Sequence, residues 1–333
     1  MELTPAAPIE LKPDPWQRLL ALGSILSVIV LGIGLFVTNA ANRDQQEATR
    51  RQQDLAAAGQ IADRFTQAID QLGQPGVDKI DVRLGALYSL ERIMRDSAVD
   101  QPAVVEVIAA FVRVHAPASG ADPRAPAASP RALRIPATPV DIQAAVTVLG
   151  RRNRDYDHLP DGLNLVATNL GGANLTNAKL NSARLDDADL RYASMGQAQL
   201  TAAFLGRANL YGSAIDQANL NRAILFNADL RYAHMWDTDL TSAVLIRSDL
   251  RYAQMQNADL TRADLRGADL RGADMYGATL AMADLTGADL RGAVNLTNDD
   301  VRCAKMDDRT QLPDGIARPG PLDDLDLERC RFK

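Results

Sequence analysis

The C-terminal half of this chain predicts a β-solenoid, a four-sided coil in which the backbone returns to the same place every twenty residues. Every fifth residue from Leu165 to Leu290 is Leu, Met or Ile without exception. From Leu170 onward a small residue, mostly Ala, stands two positions before each of them. The string Asp-Leu-Arg-Tyr-Ala begins at Asp189, Asp229 and Asp249, and Asp-Leu-Arg-Gly-Ala at Asp269 and Asp289, all separated by multiples of twenty. The N-terminal half predicts helices instead, so two or three regions should pack separately along the 333 residues.

The first element is an apolar stretch. No charge occurs from Leu19 to Asn42, long enough for a helix to cross a hydrocarbon layer of ~30 Å. An uncleaved transmembrane helix is expected over 19–41, after an N-terminal flank at 1–18. The alternative is a secretory signal cut after Ala40, but the apolar core is longer than the usual ~7–15 residues and Glu2, Glu10 and Asp14 precede it. Lys12 and Arg18 on one side compete with Arg43, Arg50 and Arg51 on the other. That small excess puts the C-terminal part in the cytoplasm. Trp16 stands where an interfacial aromatic would.

Residues 42–115 read as an α-helical region. Ile61, Phe65, Ile69 and Leu72 recur at helical spacing, as do Ile80, Leu84, Leu87 and Met94, and then Val104, Ile108, Phe111 and Val112. Mutual packing of three helices satisfies these stripes, and a partner groove is not needed. Asp100 ahead of Pro102 should cap the last of them. A Pro/Ala-rich linker follows at 116–137, with too few large apolar residues to bury a core. Thr138-Pro139-Val140-Asp141 should start a capping helix over 138–152, whose Ile142, Ala145, Val146 and Leu149 suit it to plug the open end of the coil.

The pentads themselves form the element from 161 to 296. Positions five apart on a helix rotate by about 140° and would smear the leucines around its surface. On one strand, alternate leucines would face opposite sides. A twenty-residue period resolves this, and Met195, Met235, Met255 and Met275 share one phase with Ile215. The string at Asp264 falls outside that phase. Ala258-Asp259-Leu260, Ala263-Asp264-Leu265, Ala268-Asp269-Leu270 and Ala288-Asp289-Leu290 resemble the pentapeptide-repeat family, whose pattern is Ala-(Asp/Asn)-Leu followed by two variable residues. The resemblance implies that family's right-handed quadrilateral parallel β-helix, with the central Leu and the small residue pointing inward. The segment Arg64 to Ala116 also resembles the helical module that precedes such repeats in membrane-anchored bacterial members. Departures at the small position are Thr168, Ser213, Thr238 and Ser248, each needing a hydroxyl partner inside. The register breaks at Ala293-Val294-Asn295-Leu296. A C-terminal cap and tail at 297–333 follows, with Thr297 capping a short helix through Val301 and the segment covering the last open edge.

Stacking sets the outward neighbours. Asp189, Asn209, Asp229, Asp249, Asp269 and Asp289 form a column beside Arg191, Tyr211, Arg231, Arg251, Arg271 and Arg291, so the charges should neutralise one another and Arg231 should contribute little to stability. Tyr192, Tyr232 and Tyr252 share a phase broken by Gly212 and Gly272. A third column puts Phe204, Ile224 and Val244 where Asp or Asn usually stands, flanked by Phe226 and Ile246. The fold does not require that apolar patch, which makes it the candidate interaction surface.

Catalytic, cofactor-binding and metal sites are not expected. His115, His158 and His234 are isolated, and neither a phosphate-cradling loop nor a nucleophile elbow occurs. Cys303 and Cys330 lack a CxxC pair or nearby histidines and read as two reduced thiols. The net charge of -6, with 36 basic residues spread along the chain, marks no nucleic-acid-binding tail. The function expected is a non-enzymatic, membrane-anchored interaction scaffold, without cofactors. Its partners would be membrane lipid through the N-terminal helix and a protein on the apolar patch, a second copy of the chain included. The family resemblance supplies the alternative, a DNA mimic that modulates a topoisomerase, which needs a strongly negative rod.

Overall fold

A computed structural model describes residues 15–119, 137–157, 159, 162–320 and 330, with some side chains between 15 and 40 outside the description. The chain divides into two compact units, 1–63 and 64–333. The first helix, α1 (Pro15–Leu72), is continuous where a membrane helix and a separate following helix were expected. Gln, Arg and Ala between residues 43 and 60 favour helix, and no Pro or Gly pair interrupts it. Among the described residues, no helix is long and apolar enough to cross a membrane. The span expected at 19–41 therefore gains no support here, and it falls in part on side chains outside the described residues.

In the second unit, α2 (Ile80–Asp96), α3 (Gln101–His115) and α4 (Val140–Arg151) pack against one another. Leu87, Leu90, Ile93, Ile108, Ile142 and Leu149 are fully buried among them. A buried ion pair locks the group: Arg83 donates through Nε to Asp141 at 2.8 Å and through Nη1 to the carbonyls of Gln74 and Gly76. This corrects the cap expected at the start of α4. Asp141 is committed to Arg83, Pro139 occupies the cap position, and Thr138 donates to the Gly171 carbonyl of the coil. Asp100 does sit at the start of α3, yet its carboxylate accepts from Ser97 Oγ and caps nothing.

The helices close the first coil. Gly150 of α4 accepts from Lys179 N, and Arg113 of α3 donates to the Asn164 carbonyl. Ala116 and Ala118 bond to Asn169 and Ala167, and Pro117 bridges antiparallel to Thr168. The chain after α3 therefore begins as an edge-covering segment where a linker was expected to start. The rest of that Pro/Ala-rich stretch, 120–136, lies outside the described residues.

The coil has the expected twenty-residue period. Its walls are single parallel bridges, not extended strands, as in the series Arg184, Phe204, Ile224, Val244, Asp264 and Asp284. Each bridge residue donates its N–H to the coil before it, and the following Leu donates to the coil after it; Asp189 N reaches Thr168 O at 2.8 Å and Leu190 N reaches Asn209 O at 2.7 Å. Each corner is a β-turn, and most are closed by the N–H of the small residue donating to the carbonyl of the Leu, Met or Ile three positions before it. The turn's third residue has positive φ, 58° at Tyr192 and 70° at Gly272. A five-residue side admits one extended inward residue and one turn, which is why the pattern is neither helix nor strand. The Leu, Met and Ile positions are essentially sealed from solvent, as are the alanines beside them. Among the four hydroxyls at that small position, Thr168, Thr238 and Ser248 donate to the carbonyls of Leu165, Ile215 and Leu245. Ser213 Oγ is buried without a hydrogen-bond partner.

The pairing continues past the expected break. Asp284 bridges Lys305 and Asp289 bridges Gln311, so the segment after 296 adds part of another turn with extra residues looped out. Thr297 and Asp300 form a reciprocal cap on α5 (Asn298–Val301). Cys303 and Cys330 form a disulfide with a Cα–Cα distance of 5.6 Å. This corrects the reading of two reduced thiols: the pair stands 27 positions apart, and spacing alone does not show that the two meet.

Candidate interaction surfaces

The expected apolar column exists as one wall, but it is less open than the sequence implies. Phe204, Ile224 and Val244 are successive bridge partners, with Arg184 before them and Asp264 after. Phe204 is 40% exposed, whereas Ile224, Phe226, Val244 and Ile246 are half-buried. Phe226 lies across Gly206, where an added Cβ would meet its ring at 2.4 Å. The Arg207 guanidinium sits 5.5 Å from the centre of that ring while gripping Asp187 through two bonds of 2.7 and 2.6 Å. The five residues thus form a continuous strip packed partly on itself.

The strip runs into a cavity of about 590 Å³ at the N-terminal end of the coil, lined by Phe204, Leu163, Arg184, Arg152, Arg154 and Asp157 among others. Arg152 is tied to Asp157 by bonds of 3.1 and 2.9 Å to Nε and donates to the Leu149 and Lys179 carbonyls. Burial lowers the Arg152 pKa, and the Asp157 charge opposes that shift. Arg154 Nε is buried without a hydrogen bond, 3.8 Å from Asp157. The apolar strip therefore ends at a basic mouth.

The tyrosine column read from the sequence extends further than its phase implied. Tyr192, Tyr211, Tyr232 and Tyr252 form one ladder with ring centres 5.7, 5.4 and 5.2 Å apart. Gly212 and Gly272 do not interrupt it; they admit the rings of Tyr192 and Tyr252, which would meet an added Cβ at 2.8 and 2.6 Å. Across the same wall, beyond His234 and Gln254, Trp236 and Tyr276 are 50% and 64% exposed. The twenty-residue phase already aligned Trp236 with Tyr276, so the signal was available.

The charged wall is a chain of ion pairs. Each of Asp189, Asp229, Asp249, Asp269 and Asp289 accepts two bonds from the arginine two residues on, at 2.6–2.9 Å. Arg231, Arg251 and Arg271 also approach the next aspartate at 3.5–3.6 Å. The hydrogen bond from Arg291 holds the Asp289 carboxyl below its ordinary range. Between residues 165 and 293, fourteen aspartates face twelve lysines and arginines, an excess of two negative charges.

Among the described residues, no group of three or more His, Cys, Asp or Glu is placed to hold a metal. His115 stacks on Phe111, His234 is exposed on the tyrosine wall, and His158 lies outside the described residues.

Residues 168–292 match the family model described as Pentapeptide repeats, in 8 copies. Among solved structures, HetL, a pentapeptide repeat protein involved in heterocyst differentiation regulation from the cyanobacterium Nostoc sp. strain PCC 7120, is 32% identical over 38% of this chain and 67% of its own, with a TM-score of 0.20. Rfr23 from the cyanobacterium Cyanothece 51142 is 28% identical over 33% of this chain and 63% of its own, with a TM-score of 0.20. A trypsin-treated form of QnrB1, a plasmid-mediated fluoroquinolone resistance protein, is 16% identical over 42% of this chain and 79% of its own, with a TM-score of 0.33. No curated protein matches the sequence.

Proposed function

Taking residues 168–292 as pentapeptide repeats, we propose that the chain is a non-enzymatic, membrane-anchored scaffold that docks a protein partner on the wall built by Phe204, Ile224 and Val244. The observation that carries this reading is the register of that wall: three apolar residues replace the usual polar ones on consecutive coils, and the foremost stays 40% exposed. The basic cavity at its end favours a partner segment with apolar side chains followed by a carboxylate. The anchor is supported by the uncharged stretch from Leu19 to Asn42, and by the exposure of Leu31, Leu35 and Phe36 on α1. A DNA mimic of topoisomerase-directed type finds less support, because the aspartate column is neutralised by its arginines.

The test is the full-length protein carrying Ile224→Asn and Val244→Asn. Neither side chain enters the sealed core, so the thermal midpoint by circular dichroism should change little. Crosslinking in intact membranes, with a photoreactive group beside Phe204, should lose its protein adduct. Unchanged folding together with an unchanged adduct sinks the apolar wall as a docking face. An adduct that proves to be a second copy of the chain makes the partner the protein itself.

A further inference from the structure

We infer that the unit from 64 to 333 lies on the oxidising side of its membrane, with the N-terminal flank in the cytoplasm. The inference rests on the anchor proposed above and reverses the orientation that the basic flanks suggested. The chain has two cysteines, and both are used in one disulfide. Cys330 is buried, and the Cys303 carbonyl accepts from Met282 N at 3.0 Å, so the bond fastens the tail to the last turn of the coil. Such a bond is structural, since Cys330 is shielded from a partner thiol and no metal-ligating cluster occurs among the described residues. Structural disulfides persist in oxidising compartments, whereas glutathione and thioredoxin keep cytosolic thiols reduced.

The opposing evidence is small. The basic flanks differ by one charge, Lys12 and Arg18 against Arg43, Arg50 and Arg51. Orientation by that rule depends on a clear Lys/Arg bias near the span, and the excess here is a single residue even with Arg50 and Arg51 counted. A bias of one residue decides orientation weakly, while a buried disulfide in a reducing cytosol is an exception. The consequence is chemical: the docking wall then meets exported or membrane proteins, and cytosolic DNA-processing enzymes are out of its reach.

The experiment uses the full-length chain in a bacterial inner membrane, with alkaline phosphatase fused after Lys333, an enzyme active only where its own disulfides form. In parallel, cells expressing the unfused chain are quenched in acid, denatured and treated with a maleimide mass tag, before and after reduction. The expected result is an active phosphatase, no tag without reductant and two tags after it, with Cys303→Ser exposing one thiol without reductant. An inactive phosphatase with both thiols tagged before reduction overturns the inference, as does an inactive phosphatase with the bridge formed. Extraction with alkaline carbonate separates the two readings: an active fusion that is released from the membrane keeps the assigned side and refutes the anchor.

Discussion

Ser213 and Ser248 occupy equivalent inward positions, but only Ser248 has a hydrogen-bond acceptor, the Leu245 carbonyl at 2.7 Å. Removing the Ser213 hydroxyl relieves a buried polar atom of an unmet need, and alanine is what the repeat uses elsewhere at that position. Ser213→Ala should therefore leave stability unchanged or raise it by up to about 1 kcal/mol, while Ser248→Ala should lower it by about 0.5–1.5 kcal/mol. Denaturant midpoints of the two variants check this, and a larger loss at Ser213 would show that its hydroxyl has a partner after all. The sequence marked both residues as departures, since serine among alanines is visible in any register. Which of them finds an acceptor depends on side-chain rotation inside the closed coil.

At the scale of a wall, the aspartate–arginine column changes along its length. The Asp229 and Arg231 side chains are 1% and 18% exposed, those of Asp289 and Arg291 24% and 59%. That burial argues against the expectation that Arg231 contributes little, because it partners a carboxylate closed off from water. Arg231→Ala should cost about 1–3 kcal/mol by leaving Asp229 short of its charged partner, and Arg291→Ala at the exposed end should be near neutral. Thermal melts of the two variants decide it, and equal losses would refute the gradient. The apolar wall shows the complementary lesson. Its membership followed from the period, but the burial of Phe226 came from Gly206, which leaves room for the ring to lie flat.

For the whole molecule, the ends of the coil are the vulnerable places, and each is covered. The first coil is closed by α3, α4 and the Ala116–Ala118 segment, the last by the disulfide-tied cap. That cap also depends on carboxylates. The hydrogen bond from Arg309, joined by those from Gly287 N and Thr310, outweighs desolvation and lowers the Asp307 pKa to about 2. Hydrogen bonds from Lys305 and Thr286 outweigh the effect of burial and lower that of Asp284. A carboxyl whose folded pKa is depressed contributes fully above its unfolded value of about 3.9 and loses that contribution as pH falls through the folded value. Stability from these groups should therefore be flat from pH 8 to about 5 and decline from about 4 to 2. Melting followed across that range, with Asp307→Asn showing a shallower decline, checks the sign; equal slopes in the two proteins would refute the role given to Asp307.

The sequence alone determined the coil, its period and its inward columns, because each pentad repeats one local geometry and every core contact is between residues of known spacing. Helix positions followed in the same way from their apolar stripes. Tertiary structure decided what repetition leaves free: the Arg83–Asp141 pair, the turn added after residue 296, the Cys303–Cys330 bond and the tyrosine ladder over Gly212 and Gly272. All join residues at irregular separations or turn on one side chain's room to lie down. Local pattern carries no information about either, since both are settled only when the coil and its ends close around them.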